Sequence, residues 1–414
     1  MDNQQKHCKK EWGEDVFTLL SWFKTAKVRN AKVMVAGAGA LGNEVLKNLA
    51  LFGIGHILVV DFDTIEYSNL TRSVLFRPED ADKGYYKAEI AAKRIHEINP
   101  SVHIEAICGN LATDVGLGVY RRMDVVVGCL DSLLARMLLN RQCFRAGKPW
   151  VEGGIGDLEG QVSVYQLGKC CFECSLSEEE KRIAYGKGVD DDDNRISCPG
   201  IVQVNEKRGR VATTPVSASI IGAIQAQEAM KIIHQEETDA GHFTPLIGKM
   251  FHYGGAHPNS GTYDFDMYND DCFSHDAWDN IVEIPELSAD LPVSEAIHLI
   301  KKELQTESAE INLLNDKFVD KISARSDSKT FYPMLPESKL SDYISASKEL
   351  EYYAMKDDGL YQKAYDYIDD EFPYQSLTLK QIGIPYLDVL QVTTEKGYFY
   401  VELAKDKDRF KFLF

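Results

Sequence analysis

Apolar and polar positions follow two alternating periods through the first half of the chain. Residues 31–36 (AKVMVA) form a near-continuous apolar run closed by Gly37, the signature of a strand buried on both faces. Residues 41–52 then set Leu41, Val45, Leu49 and Phe52 on one helical face. A second apolar run at 56–60 completes a βαβ unit. Helical spacing returns at 87–99 and stops at Pro100; strands are expected at 102–107 and 124–128. Ser132 caps a helix that runs to about 146, and 150–152 and 161–166 read as later strands. Strands alternating with helices predict an α/β fold: a Rossmann-like, mostly parallel sheet with helices on both faces.

The pattern then changes twice. From 175 to 214 periodicity disappears in a stretch with four consecutive aspartates at 190–193 and a Cys-Pro pair. Such a long unpatterned connection is rare in a compact domain unless it has a function. A helix is expected again at 216–234. Residues 282–414 are rich in Tyr, Lys, Glu and Asp, with a helix at 293–304 and β-like alternation over 377–403. The division expected is a helical lead-in at 1–30, an α/β domain at 31–281 and a smaller C-terminal α+β domain at 282–414.

Composition narrows the classes. The net charge of −18 and the lack of a Lys/Arg cluster argue against a nucleic-acid partner. No apolar run reaches the roughly 20 residues of a membrane helix. The polar start MDNQQK has no signal-peptide core, so no membrane association and a cytoplasmic location are expected. Nine cysteines in such a chain are expected as thiols, metal ligands or nucleophiles rather than disulfides.

The candidate chemistry begins at Gly37-Ala38-Gly39-Ala40-Leu41-Gly42, a GxGxxG between a strand and a helix, with Asp61 lying 19 residues beyond Gly42. Glycines let the backbone approach phosphates, and the helix start offers free N–H groups. A plain dinucleotide site needs one acidic residue after the second strand. This chain has Asp61 and Asp63, then Asn69 and Arg72, in the run DFDTIEYSNLTR. That set suits a ribose, a triphosphate and a metal ion together, so ATP is expected rather than NAD. Lys87 at a helix start and Asp131 after the strand DVVVG fall at the same sheet edge. Lys87 and Arg72 can neutralise phosphate oxygens, and Asp131 can hold Mg²⁺. Taken singly, Lys87 is more commonly an exposed helix charge, and Asp131 reads as part of the cap of the following helix; it is the constellation that points to a site.

Cys171 and Cys174 form a CxxC, and Cys272 and His275 a CxxH about a hundred residues later. Three thiolates and an imidazole are a structural zinc set, so Zn²⁺ is expected to tie the chain's middle to its later part. The alternatives are a redox CxxC or unrelated thiols. Cys198 lies in the unpatterned segment near Arg195, Lys207, Arg208 and Arg210, cations that favour the thiolate. A thiolate there can take an acyl group as a thioester, the alternative being a surface cysteine without a role. Cys108, Cys129 and Cys143 read as core.

GAGALG, DFDTIEYSNLTR, GYYKA, CLDS and the stretch Glu152-Gly153-Gly154-Ile155 together resemble the adenylating domain of the ubiquitin-activating family, which includes the activating enzymes of the thiamin and molybdopterin sulfur carriers. NLALFG at 48–53 and LFRPED at 75–80 are most similar to the eukaryotic-type members. The resemblance covers roughly 30–280. It implies that Asp61 and Asp63 hold ribose or phosphate-side waters, that Asn69, Arg72 and Lys87 contact phosphates, and that Asp131 binds Mg²⁺. It implies zinc at the Cys/His set, where many members use four cysteines and this chain has His275. It implies a catalytic cysteine in the connection that contains Cys198, a ubiquitin-like protein as substrate, a conjugating enzyme recruited by a ubiquitin-fold-like C-terminal domain, and a homodimer. The compact single chain suggests a bacterial ubiquitin-like pathway, of the kind found in antiviral defence operons. Arg72 is followed by Ser73 where the family has Gln, and the first arginine, Arg29, adjoins the first strand, so an arginine reaching a partner's ATP site has no clear counterpart. The alternatives carried are a sulfur-carrier adenylyltransferase and the non-catalytic half of a heterodimer.

Overall fold

The structure, a computed structural model, describes residues 12, 14–184, 213–238, 240–257, 259–265, 268–324, 329–355 and 360–414. The chain divides into two compact units. The first comprises residues 1–109 and 122–277, the second residues 110–121 and 278–414.

The first unit is built on an eight-stranded sheet. Its strands are β1 (Lys32–Ala36), β2 (His56–Val60), β3 (His103–Ile107), β4 (Val125–Gly128), β5 (Trp150–Ile155), β6 (Glu159–Tyr165), β7 (Lys249–Gly254) and β8 (Gly261–Asp264), in the order β3-β2-β1-β4-β5-β6-β7-β8. The five from β3 to β5 are parallel, and β6, β7 and β8 extend the sheet antiparallel. The central strands are apolar on both faces because both are covered. Val33, Val35, Ile57, Val59, Val125 and Val127 pack with helices α1 (Ala40–Phe52), α2 (Lys87–Ile98) and α4 (Pro215–Ile233). On the other face α3 (Leu133–Arg145) meets Trp150, whose indole Nε1–H donates to Asn140 Oδ1 at 3.2 Å. This is the expected Rossmann-like sheet. The connection at 175–214 is less bare than its sequence implied: Glu178–Ala184 is a helix with Glu178, Glu179 and Glu180 in its first turn, where acidic side chains face unpaired N–H groups.

The second unit has strands β9 (Val282–Ile284), β10 (Glu310–Asn312), β11 (Phe318–Ala324), β12 (Thr330–Phe331), β13 (Leu335–Pro336), β14 (Leu360–Tyr365), β15 (Tyr367–Ile368), β16 (Val389–Thr394) and β17 (Gly397–Leu403). Five of them form a sheet in the order β15-β10-β16-β17-β9, and β11 gathers β12, β13 and β14 into a second. Helix α5 (Val293–Leu304) buries Val293, Ala296, Ile297 and Ile300, a stripe at helical spacing, in the core with Ile311, Val392 and Val401. The β-like alternation at 377–403 holds only from Val389 onward; Leu379–Ile382 is a short helix whose start Thr378 and Gln381 cap reciprocally. Residues 110–121 join this unit through Leu117 N–H to Asp388 Oδ1 at 2.7 Å and Gly118 N–H to the Leu387 carbonyl at 2.9 Å.

Candidate functional site

The glycine turn links β1 to α1 under tight steric limits. Gly37 has φ +97°, and a Cβ there would lie 2.4 Å from the Cys129 carbonyl oxygen. At Gly42 a Cβ would lie 2.0 Å from the Gly37 carbonyl oxygen. Gly39 differs: a Cβ there would meet nothing within 4 Å. The open space lies over the start of α1, where N–H groups have no intrahelical partner.

Asp61 follows β2 and is clamped against this turn. Its Oδ2 accepts from Ala38 N–H at 2.7 Å and its Oδ1 from Asp63 N–H at 2.8 Å. Burial raises its pKa above the ordinary carboxylate value, against the lowering effect of those two N–H groups and Lys87. Asp63 Oδ2 pairs with Lys87 Nζ at 2.7 Å, and Lys87 N–H donates to the Asp63 carbonyl at 2.9 Å. Lys87 is 9% exposed, so its charge sits at the wall of the site rather than on a free helix surface. Asn69 Oδ1 accepts from Glu66 N–H at 2.9 Å and closes the turn that carries Arg72. Arg72 is half-buried, with Nη1 donating to the Ser68 carbonyl at 2.9 Å. Asp131 stands exposed just past the end of β4, ahead of α3, whose start Ser132 caps through Ala135 N–H. The glycine turn, Asp61 and Asp131 follow the C-terminal ends of the adjacent strands β1, β2 and β4, the edge where open α/β sheets bind ligands.

Three buried polar side chains that the sequence reading passed over hold these loops. Asn43 on α1 bonds the glycine turn and the Arg72 loop. Gln225 on α4 donates to the Gly128 carbonyl at 2.8 Å. Arg136 on α3 donates to the Leu130 carbonyl at 2.6 Å and ion-pairs with Glu152. Each lies on the buried face of its helix with other buried polar residues, Glu44, Asn140 and Glu228 among them, so the apolar period gives no signal for it.

The second constellation lies in the first unit, away from the glycine turn in sequence. Cys171, Cys174, Cys272 and His275 bring their ligand atoms within 4.8 Å of one another. The Sγ–Sγ separations are 3.6 Å for Cys171–Cys174 and 3.7 Å for Cys171–Cys272, and Cys174 Sγ lies 3.4 Å from His275 Nε2. A tetrahedron with Zn–S bonds of about 2.3 Å has edges of about 3.8 Å, slightly less toward a nitrogen ligand. The donor set and its spacing therefore fit zinc. Around the ligands, His275 is stacked between Phe144 and Tyr268. Glu173, between the two knuckle cysteines, accepts from Arg141 at 2.7 and 3.1 Å and from Ser274 Oγ, so one carboxylate braces both ligand turns. Burial alone would raise the Glu173 pKa; Arg141 and Ser274 outweigh it and hold it below the usual range. Cys143 is buried and Cys129 partly so, but Cys108 is exposed one residue beyond β3. It is therefore not a core residue: the strand ends before it. Cys198, with Arg195, Lys207, Arg208 and Arg210, lies outside the described residues.

The sequence matches the ThiF family over residues 10–272. It is similar to the sulfur carrier protein adenylyltransferase of Thermus thermophilus, 32% identical over 234 residues that cover 55% of this chain and 76% of that protein. It is 31% identical over 228 residues to the molybdopterin-synthase adenylyltransferase of Escherichia coli, covering 55% of this chain and 80% of the relative. The SUMO-activating enzyme subunit 2 of Dictyostelium discoideum is 39% identical over 160 residues, 38% of this chain but only 24% of that protein. Among solved structures, E. coli MccB bound to SeMet MccA aligns at a TM-score of 0.47 and 23% identity, covering 61% of this chain and 68% of that one.

Proposed function

The chain belongs to the ThiF family, and from that membership we propose that it uses Mg·ATP to activate the C-terminal carboxylate of a ubiquitin-like protein and then holds the acyl group on Cys198. The observation that carries this reading is Asp61 clamped to an open glycine turn beside the Asp63–Lys87 pair, with Asp131 following the C-terminal end of β4 at the same sheet edge. In this reading Asp61 and Asp63 bind ribose hydroxyls or phosphate-side waters, the turn amides with Asn69, Arg72 and Lys87 bind phosphate oxygens, and Asp131 would hold Mg²⁺. The metal, when bound, would neutralise phosphate charge. A carrier carboxylate oxygen attacks the α-phosphorus, the bond to the β-phosphate oxygen breaks, and pyrophosphate leaves. The protein's task is alignment and neutralisation of charge. The Cys198 thiolate then attacks the carbonyl carbon of the mixed anhydride, AMP leaves, and a thioester remains. Zinc at the Cys/His cluster is structural in this scheme. The second unit recruits a conjugating enzyme, and the active form is a cytoplasmic homodimer.

The test is a charging assay with Mg·ATP and ubiquitin-like proteins encoded beside the chain's gene, read on non-reducing gels for wild type and Cys198→Ala. A thiol-sensitive adduct, lost in the variant while ATP–pyrophosphate exchange persists, is the expected result. Adenylation without any adduct would reject the thioester step. It would favour the second reading, a sulfur-carrier adenylyltransferase, which the length matched by the Thermus thermophilus relative supports.

A further inference from the structure

We propose that Asn43 is a positioning residue that braces the phosphate-binding turn against the loop carrying Arg72; the proposal rests on the nucleotide-site reading above. Asn43 lies in the first turns of α1 and is fully buried. Its Nδ2 donates to the Ala38 carbonyl at 2.7 Å and to the Gly39 carbonyl at 2.9 Å. Its Oδ1 accepts from Leu75 N–H at 2.8 Å, 32 positions away. Both donor hydrogens and the acceptor of the amide are thus spent on backbone, and on two different segments. Nothing in α1's own hydrogen bonding requires this: an asparagine inside a helix is ordinarily a weak helix former that turns outward.

The geometry has two consequences. In a trans peptide the carbonyl and the following N–H point in opposite directions, and the described chain has no cis peptide. Drawing the Ala38 and Gly39 carbonyls inward toward Asn43 therefore turns the N–H groups of Gly39 and Ala40 outward, toward the open space over Gly39. The second consequence concerns the cation. Leu75 is buried three residues beyond Arg72, and its N–H is fixed by the same amide. The segment between has one exposed, one half-buried and two buried residues, Val74, Arg72, Ser73 and Leu75, so Arg72 is held from its C-terminal side by Asn43 and from its N-terminal side by its N–H to the Asn69 carbonyl and its guanidinium to the Ser68 carbonyl. The donors and the guanidinium meant for one triphosphate are thereby registered to each other through a single side chain.

A merely structural asparagine and a brace differ in one measurable respect. If Asn43 acts by placing Arg72, its loss should matter less once Arg72 is gone; independent sites add to within about twofold in a binding constant. The experiment is calorimetric titration of the full chain with Mg·ATP for wild type, Asn43→Ala, Arg72→Ala and the double variant, with Asn43→Ser replacing Asn43→Ala if the latter does not fold. Melting temperatures and far-UV spectra establish folding in each. We expect Asn43→Ala to weaken Mg·ATP about tenfold in the wild-type background and no more than about threefold with Arg72→Ala. Equal losses in both backgrounds, or wild-type affinity in Asn43→Ala, would overturn the brace while leaving the nucleotide site intact. A wild-type chain that does not bind Mg·ATP would instead remove the nucleotide reading itself.

Discussion

Replacing Cys272 by Ser removes one of the four donors of the candidate metal cluster, which joins parts of the first unit far apart in the chain. The Cys171 and Cys272 sulfurs are 3.7 Å apart across 101 positions of chain. In the chain-entropy account, closing a loop of about 100 residues is worth about 4.7 kcal/mol through the unfolded state. Part of that closure survives the substitution, because His275 still faces Cys174 and Glu173 still bridges Arg141 and Ser274. A net loss of about 3–5 kcal/mol is therefore expected, which for a unit of this size lowers the melting temperature by about 6–20 °C. Two measurements on the same preparations decide it: elemental analysis for zinc and thermal unfolding by fluorescence. Wild type should hold one zinc per chain, lose it and the same stability to a strong chelator, and regain both on addition of zinc; Cys272→Ser should be insensitive to either treatment. A zinc-free wild type with full thermal stability would refute the clip. A Cys272→Ser variant with an unchanged melting temperature would refute the loop-closure reasoning even if zinc is present.

Two further predictions concern the sheet edge that carries Asp61 and Asp131. Because burial raises the Asp61 pKa in the folded state, its stability contribution is fully present below the ordinary carboxylate value and is lost as pH rises through the raised value. The stability of wild type relative to Asp61→Ala should thus grow as pH falls from 7 toward 4.5, measured by urea midpoints; a pH-independent difference would refute it. Arg136 and Glu152, with side chains 4% and 1% exposed, form a buried pair beneath the Asp131 loop. Arg136→Ala should cost about 3–5 kcal/mol, and the double replacement Arg136→Met with Glu152→Leu markedly less, since only the first strands a buried charge.

How much of this was legible depends on what each residue has to satisfy. The central strands β2, β1 and β4 could be read because strands covered on both faces need nearly unbroken apolar side chains, and Gly37 and Gly42 because any Cβ there would strike a backbone carbonyl within 2.4 Å. The Cys/His set could be read because two ligands per turn fix its local spacing, whatever the intervening length. β7 and β8 were hidden: KMFHYG and GTYD lie toward the edge of the sheet, partly exposed along most of their length, and mix polar with apolar residues without strict alternation. Asn43, Gln225 and Arg136 were hidden for a different reason. Their partners are mostly backbone groups outside the helix, with Glu152 for Arg136, which no local period encodes, and a polar residue on a helix reads first as solvent-facing.

The segment 110–121 is the hardest case and the most consequential one. Its sequence continues the α/β pattern, and its helix Leu117–Tyr120 stands between β3 and β4 as any crossover would. Yet Leu117, Val119 and Tyr120 are buried at 0–1% exposure within the second unit. A Cβ on Gly116 or Gly118 would strike the backbone of Tyr386 or Leu387, and Arg121 pairs with the buried Glu402. The chain therefore passes between its two units at three places, after 109, after 121 and after 277. An appended tail would need only the last. The first crossing falls two residues beyond Ile107, whose carbonyl accepts the Asp61 N–H at 3.1 Å. The polypeptide that accepts the Asp61 N–H is thus the same polypeptide that, within a few residues, becomes part of the second unit's core. The link from that unit to Asp61 is a few residues of continuous chain followed by one backbone hydrogen bond.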